Sequence, residues 1–155
     1  ILDQMCRKIG ISGSKKENHT LLRNFLKIML KNQSDYTITF RALPQVLLGD
    51  SDDLFDQFKE KAELHSWLED WKQTVRDENE DVNLLVNDLN EINPAYIPRN
   101  HQIQDVIDLA YENNFSKMLE MIEVVQDPFK EKDKYSSYMN APSEDQKVKR
   151  TFCGT

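Results

Sequence analysis

Apolar residues recur along this chain every three or four positions, the spacing of one face of an α-helix. The clearest run is Leu64, Trp67, Leu68, Trp71 and Val75. A second, Val82, Leu85, Val86, Leu89 and Ile92, follows an acidic stretch at Asp77, Glu78, Glu80 and Asp81, which reads as a solvated helix end. Earlier, Leu21, Leu22, Phe25, Leu26 and Met29 share a face that Thr20 is placed to cap. Ile1, Leu2, Met5 and Ile9 open the chain on one face, and Gly10, Ser12, Gly13 and Ser14 mark a loop after them. An apolar face present from the first residue leads us to expect a piece of a longer protein.

The segment from Tyr36 to Leu48 reads two ways. Tyr36-Thr37-Ile38-Thr39-Phe40 has the β-branched and aromatic content of a strand. No second clear strand exists to pair with it, so helix is the expectation, capped at Ser34-Asp35 and limited or kinked by Pro44. Ser51 or Asp52 starts a short helix bearing Leu54, Phe55 and Phe58. Asn93 precedes Pro94, and a residue before proline avoids helical backbone, so the helix before it ends there. Asn100 is expected to cap a helix with Ile103, Val106, Ile107, Ala110 and Tyr111. Asn113 suits a left-handed helix end, and Asn114 can cap a partner helix with Met118, Met121, Ile122 and Val125, making a hairpin. Past Asp127-Pro128 the chain turns polar. The expected fold is all-α: an irregular bundle of about six to eight helices over residues 1–129, then an extended tail over 130–155, ordered only where it docks.

Composition narrows the function classes. Glycine and proline together supply 9 of 155 residues, which favours helix over turn-rich folds. A formal charge of -7 argues against a nucleic-acid partner, which needs cations to neutralise phosphates. No window is apolar enough to span a membrane, so no membrane partner is expected. Gly-rich phosphate loops, HExxH and CxxC are absent from the sequence, and no catalytic, cofactor or metal residue is assigned. His65 and Glu69 sit at i, i+4 and are expected to form an exposed pair rather than a metal site. Trp67 and Trp71 are expected in the core, with a partner anchor as the alternative. Cys6 lies on an apolar face and reads as a small core residue. Cys153 lies in the polar tail, where a thiol is either inert or serves redox or docking chemistry. Lys147, Lys149 and Arg150 beside it could steer the tail to an acidic surface.

Two stretches carry more than helix-filling residues. The first is Ser34-Asp35-Tyr36-Thr37-Ile38-Thr39-Phe40-Arg41-Ala42-Leu43. The second is Asn93-Pro94-Ala95-Tyr96-Ile97-Pro98-Arg99-Asn100. Arg99 offers a planar fork of donors after a stiff loop, and the favoured role for it and Asn100 is to fix the angle between two helices. Asp35, Tyr36, Arg41, Asn93, Pro94, Arg99 and Asn100 are therefore candidate structural or docking residues.

These two stretches, the helical hairpin, the Asp-Pro-Phe turn and a terminal Thr-Phe-Cys-Gly-Thr stand in an order that resembles the C-terminal part of the selenoprotein O family. The resemblance implies a full-length protein with a kinase-like fold that binds ATP and magnesium and transfers AMP to hydroxyl side chains of protein substrates. It implies that Cys153 matches a selenocysteine or cysteine position, able to pair with a cysteine of the kinase-like region. The family's nucleotide, metal and catalytic residues lie upstream, and no stretch here receives them. The expected role is a non-catalytic region packing on the kinase-like core of its own polypeptide, with no cofactor held by this chain. The resemblance implies the bacterial cytoplasm as compartment, or the mitochondrion for a eukaryotic member. The alternative is an independent helical interaction module using the Trp67/Trp71 face; a small redox protein using Cys6 with Cys153 comes third.

Overall fold

Helix follows the apolar spacing nearly throughout. The computed structural model describes residues 1–146. Among the described residues there are eight α-helices and two 3-10 segments, and no strand. The helices are α1 (Leu2–Arg7), α2 (Lys16–Asn32), α3 (Tyr36–Ala42), α4 (Asp52–Asp56), α5 (Ala62–Glu78), α6 (Val82–Ile92), α7 (Asn100–Tyr111) and α8 (Ser116–Gln126). The 3-10 segments are Leu43–Leu48, directly after α3, and Asp133–Met139. The all-α expectation holds. Among the described residues no helix is long and apolar enough to cross a membrane.

The chain divides into two compact units, Ile1–Pro94 and Ala95 onward. In the first, α2 and α5 supply the centre. Phe25 stacks on Trp67 at 4.1 Å between ring centroids, and Trp67 lies parallel to Trp71 at 5.7 Å. Each indole N–H finds a carbonyl, Trp67 on Leu21 and Trp71 on Ile9, both at 2.8 Å, so neither ring buries an unpaired donor. Leu22, Leu43, Leu54, Leu64 and Leu89 close the core around them, and Cys6 is buried there as a free thiol.

Local backbone chemistry explains the boundaries. Asp35 caps α3, its Oδ1 accepting from the Ile38 N–H at 2.9 Å. Pro44 sits in the first turn of the 3-10 segment that ends the α3 helix, which settles the ambiguous stretch as helix. Gly10 closes the α1 turn at φ 74°, and a Cβ on Gly13 would lie 2.5 Å from the Asp3 Cα, so only glycine lets the loop cross α1 there. Two expected caps differ. Thr20 lies inside α2, its hydroxyl donating to the Lys16 carbonyl, because α2 starts a turn earlier where Asn18 is drawn to the Ser12 carbonyl. Asn100 is the first residue of α7 and makes no cap; Arg99 before it holds the extended backbone.

The second unit has a small core of Ala95, Tyr96, Val124, Tyr135 and Tyr138, with Met121 and Met139 packed against it. Asn113 takes φ 59° between α7 and α8, as its amide side chain allows. Asn114 then accepts from the Ser116 N–H at 3.1 Å. The composition changes near residue 130, yet the compact units part at Pro94/Ala95. Residues 133–139 turn as a 3-10 segment because Tyr135 and Tyr138 are pulled into the core.

Candidate functional site

The C-terminus of α6 ends in carbonyls that its own helix cannot satisfy, and its last turn holds no basic residue. Two cations from elsewhere in the first unit meet them. Arg41, from the last turn of α3, donates from Nη1 to the Asn90 carbonyl at 2.7 Å and to the Asn93 carbonyl at 3.0 Å. Lys8, just past α1, reaches the Ile92 carbonyl at 3.4 Å and the Asn93 Oδ1 at 3.2 Å. A cation at this end also meets the negative pole of the helix. Asn93 is fully buried and answers Lys8 by donating from Nδ2 to the Lys8 carbonyl at 2.8 Å. Burial pushes the Lys8 ammonium below its ordinary pKa.

Sequence reasoning singled out Asp35, Tyr36, Arg41, Asn93 and Pro94. The structure brings Arg41 and Asn93 together directly. Asp35 starts the helix that carries Arg41, and Pro94 fixes the chain exit after Asn93 in extended backbone. Tyr36 stacks on Phe40 at 4.4 Å and donates its hydroxyl to the Met5 sulfur at 3.4 Å. Lys8 was missed; a lysine after a short helix carries no pattern of its own, and its partner lies 85 residues away.

Arg99 and Asn100 belong to the second unit. Arg99 is buried and donates from Nη2 to the Met139 carbonyl at 3.4 Å. Gln102, one turn on, donates to the Tyr138 carbonyl at 3.2 Å. Tyr96 accepts from the Lys132 N–H at 2.8 Å and faces the Lys132 carbonyl at 3.2 Å. The Ala95 and Tyr96 N–H groups both donate to the Pro128 carbonyl. The Asn93–Asn100 stretch is thus spent on holding backbone, and Asn100 itself is exposed.

The acidic run does more than meet solvent. Glu78 is nearly buried and accepts from the Ser12 N–H at 2.6 Å, from Asn18 Nδ2 at 3.0 Å and from Lys15 at 2.7 Å. Asp81 caps α6 by accepting from the Asn83 and Leu84 N–H groups. Beside Glu78 a cleft of about 540 Å³ opens over Ile11, Leu85 and Leu89, rimmed by Arg7, Lys15 and Asp88. Its most buried carboxylate already holds three donors, so the cleft presents no free acid or base there.

Other candidates fall into place individually. Trp67 and Trp71 are core residues. The His65 ring lies 4.5 Å from Phe55, while the Glu69 carboxylate sits near Lys72 at 3.8 Å. Among the described residues no group of three His, Cys, Asp or Glu side chains is placed to hold a metal ion. Cys153, Lys147, Lys149 and Arg150 lie outside the described residues.

Comparison with known proteins turns this helical arrangement into a family assignment. The family model described as protein adenylyltransferase SelO matches residues 2–126. A protein nucleotidyltransferase YdiU of Maridesulfovibrio salexigens is 33% identical over 153 residues, covering 98% of this chain and 31% of that protein. Those of Bradyrhizobium diazoefficiens and Nitrosococcus oceani are each 32% identical, over 96% and 99% of this chain and 31% and 30% of theirs. The chain spans about a third of the length of the curated relatives it matches. With most of its length matched, from α1 through α8, the chain belongs to the SelO family of protein adenylyltransferases.

Proposed function

We propose that this chain is the non-catalytic, C-terminal helical part of a SelO-type protein adenylyltransferase, located in the bacterial cytoplasm. It packs on the kinase-like core of the same polypeptide. That core binds ATP and magnesium and moves AMP onto Ser, Thr or Tyr hydroxyls of protein substrates. Cys153 acts as a redox-responsive thiol in the terminal segment.

One observation carries the reading: the chain's best-placed cations are spent on its own backbone and carboxylates. Arg41 and Lys8 serve the end of α6, Arg99 serves Met139, and Lys15 serves Glu78. Nucleotidyl transfer needs cations clamped on phosphates and ligands for metal. Among the described residues these four cations are already engaged and no group of three His, Cys, Asp or Glu side chains is placed to hold a metal, which supports a nucleotide site outside this chain.

ATP labelled at the α-phosphate tests the assignment. The full polypeptide labels acceptor proteins, and this chain alone labels none; labelling by this chain alone would overturn the reading. For the thiol, Cys153→Ser in the full polypeptide changes the dependence of AMP transfer on reductant. An unchanged dependence removes the redox role.

A further inference from the structure

The second unit leaves apolar side chains outside where the first hides them. α7 buries only Gln102 and α8 only Val124. Phe115, Leu119 and Ile122 stand exposed at i, i+4 and i+7 along α8, and Ile107 and Tyr111 at i and i+4 along α7. Leu119 is 62% exposed and Tyr111 85%. These five large hydrophobics fall within residues 107–122, whereas residues 1–94 expose five over the whole of that unit. Single exposed hydrophobics are ordinary; rows at helical spacing are what a helix presents to something that covers it.

We infer that the exposed rows of α7 and α8 are the surface on which the remainder of the longer polypeptide docks. The inference rests on the functional reading above and names the face it uses. Two observations choose this occupant. The chain matches about 31% of its relatives' length, so twice its own length of family polypeptide lies outside it. The two helices are also acidic: residues 100–126 hold Asp105, Asp108, Glu112, Glu120 and Glu123 against Lys117 as their one Lys or Arg, with Lys134 of the following segment pairing Glu123 at 3.6 Å. Lys117 is already paired with Asp105 at 2.7 Å. A second copy meeting this face through a two-fold contact would set carboxylates against carboxylates. The fitting occupant has an apolar strip with a basic rim.

Cysteine labelling of the native full polypeptide tests this, with modified peptides mapped by mass spectrometry and AMP transfer measured on the same sample. Leu119→Cys and, independently, Ile122→Cys are compared with Glu112→Cys, an exposed position at the hairpin tip. Protection of both row positions by roughly tenfold relative to Glu112→Cys, in a monomer, supports the docking face. Equal labelling at all three with AMP transfer intact overturns it and leaves the functional reading standing. Protection confined to a dimer, or already present in the 155-residue chain as a monomer, also overturns it. An unsubstituted full polypeptide that fails to transfer AMP counts against the functional reading instead.

Discussion

The two units solve the same problem by different means. Residues 1–94 are held by a core of stacked aromatics and leucines, with Trp67 and Trp71 at its centre. From Ala95 onward five buried residues make the core, and side chains gripping backbone do much of the rest: Tyr96 on Lys132, Gln102 on Tyr138, Arg99 on Met139. Apolar burial scales with the area removed from water, while a hydrogen bond gains only about 0.5–1.5 kcal/mol net but costs more when one partner is lost. The first unit therefore adds its polar clasps to a large apolar core, while the second has a small core and leans on its clasps more. A unit of the second kind keeps its large hydrophobics available for another surface.

Trp71→Ala breaks the comparison most forcefully. It removes a fully buried indole and leaves the Ile9 carbonyl without its donor. Large-to-small changes at such sites cost about 3–5 kcal/mol. Hydrogen exchange read peptide by peptide should show the loss across α2 and α5. Equal acceleration in α7 and α8 would show that the two regions do not differ as described.

The next effect compares polar grips. Asn93→Ala strands the Lys8 carbonyl and one contact of a partly desolvated ammonium, at a cost of about 2–3 kcal/mol. Tyr96→Phe removes one acceptor from the Lys132 N–H, at about 1–2 kcal/mol. Urea unfolding measures the first. Exchange at Lys132 and through the 133–139 segment measures the second. A Tyr96→Phe protein with unchanged exchange there would mean that packing, not the hydroxyl, holds the segment.

The same contrast explains what could be read from sequence. The α5 and α6 faces were legible because large hydrophobics at 3.6-residue spacing leave little choice of burial. The Asp35 cap was legible because its bond closes within three residues. Arg41 and Asn93 could be picked out individually as unusual, but their meeting spans 52 residues and no local pattern encodes it. Glu78 was hidden for the opposite reason: it sits in an acidic run that looks solvated, and its partners Ser12, Lys15 and Asn18 come from the distant loop before α2 and the first turn of that helix. Thr20 and Asn100 misled because good capping residues also sit comfortably inside a first or second turn. Where unit boundaries fall was illegible, since residues 133–139 look like tail and are anchored by two tyrosines.

The smallest effect is a difference in pH response. Burial alone would push the Glu78 carboxyl up, but donors from Lys15, the Ser12 N–H and Asn18 outweigh it and hold it below its ordinary value of 4.5. A depressed carboxyl contributes stability that is present above 4.5 and lost as pH falls through its lower folded value. In the second unit, burial first and then the bond from its hydroxyl to Glu120 push Tyr138 up to about 12 from 10.0. A raised phenol contributes stability that is whole below 10.0 and lost as pH rises through about 12. The first unit should thus weaken on the acid side through Glu78, and the second on the alkaline side through Tyr138. Glu78→Gln should flatten the acid limb in residues 1–94 and leave the alkaline limb alone. Tyr138→Phe should do the reverse and remove from the ultraviolet titration a phenol pushed up to about 12. If either substitution moved the other limb, the charges and not the local contacts would be setting the profile, and the division between a core-held and a clasp-held unit would lose its chemical basis.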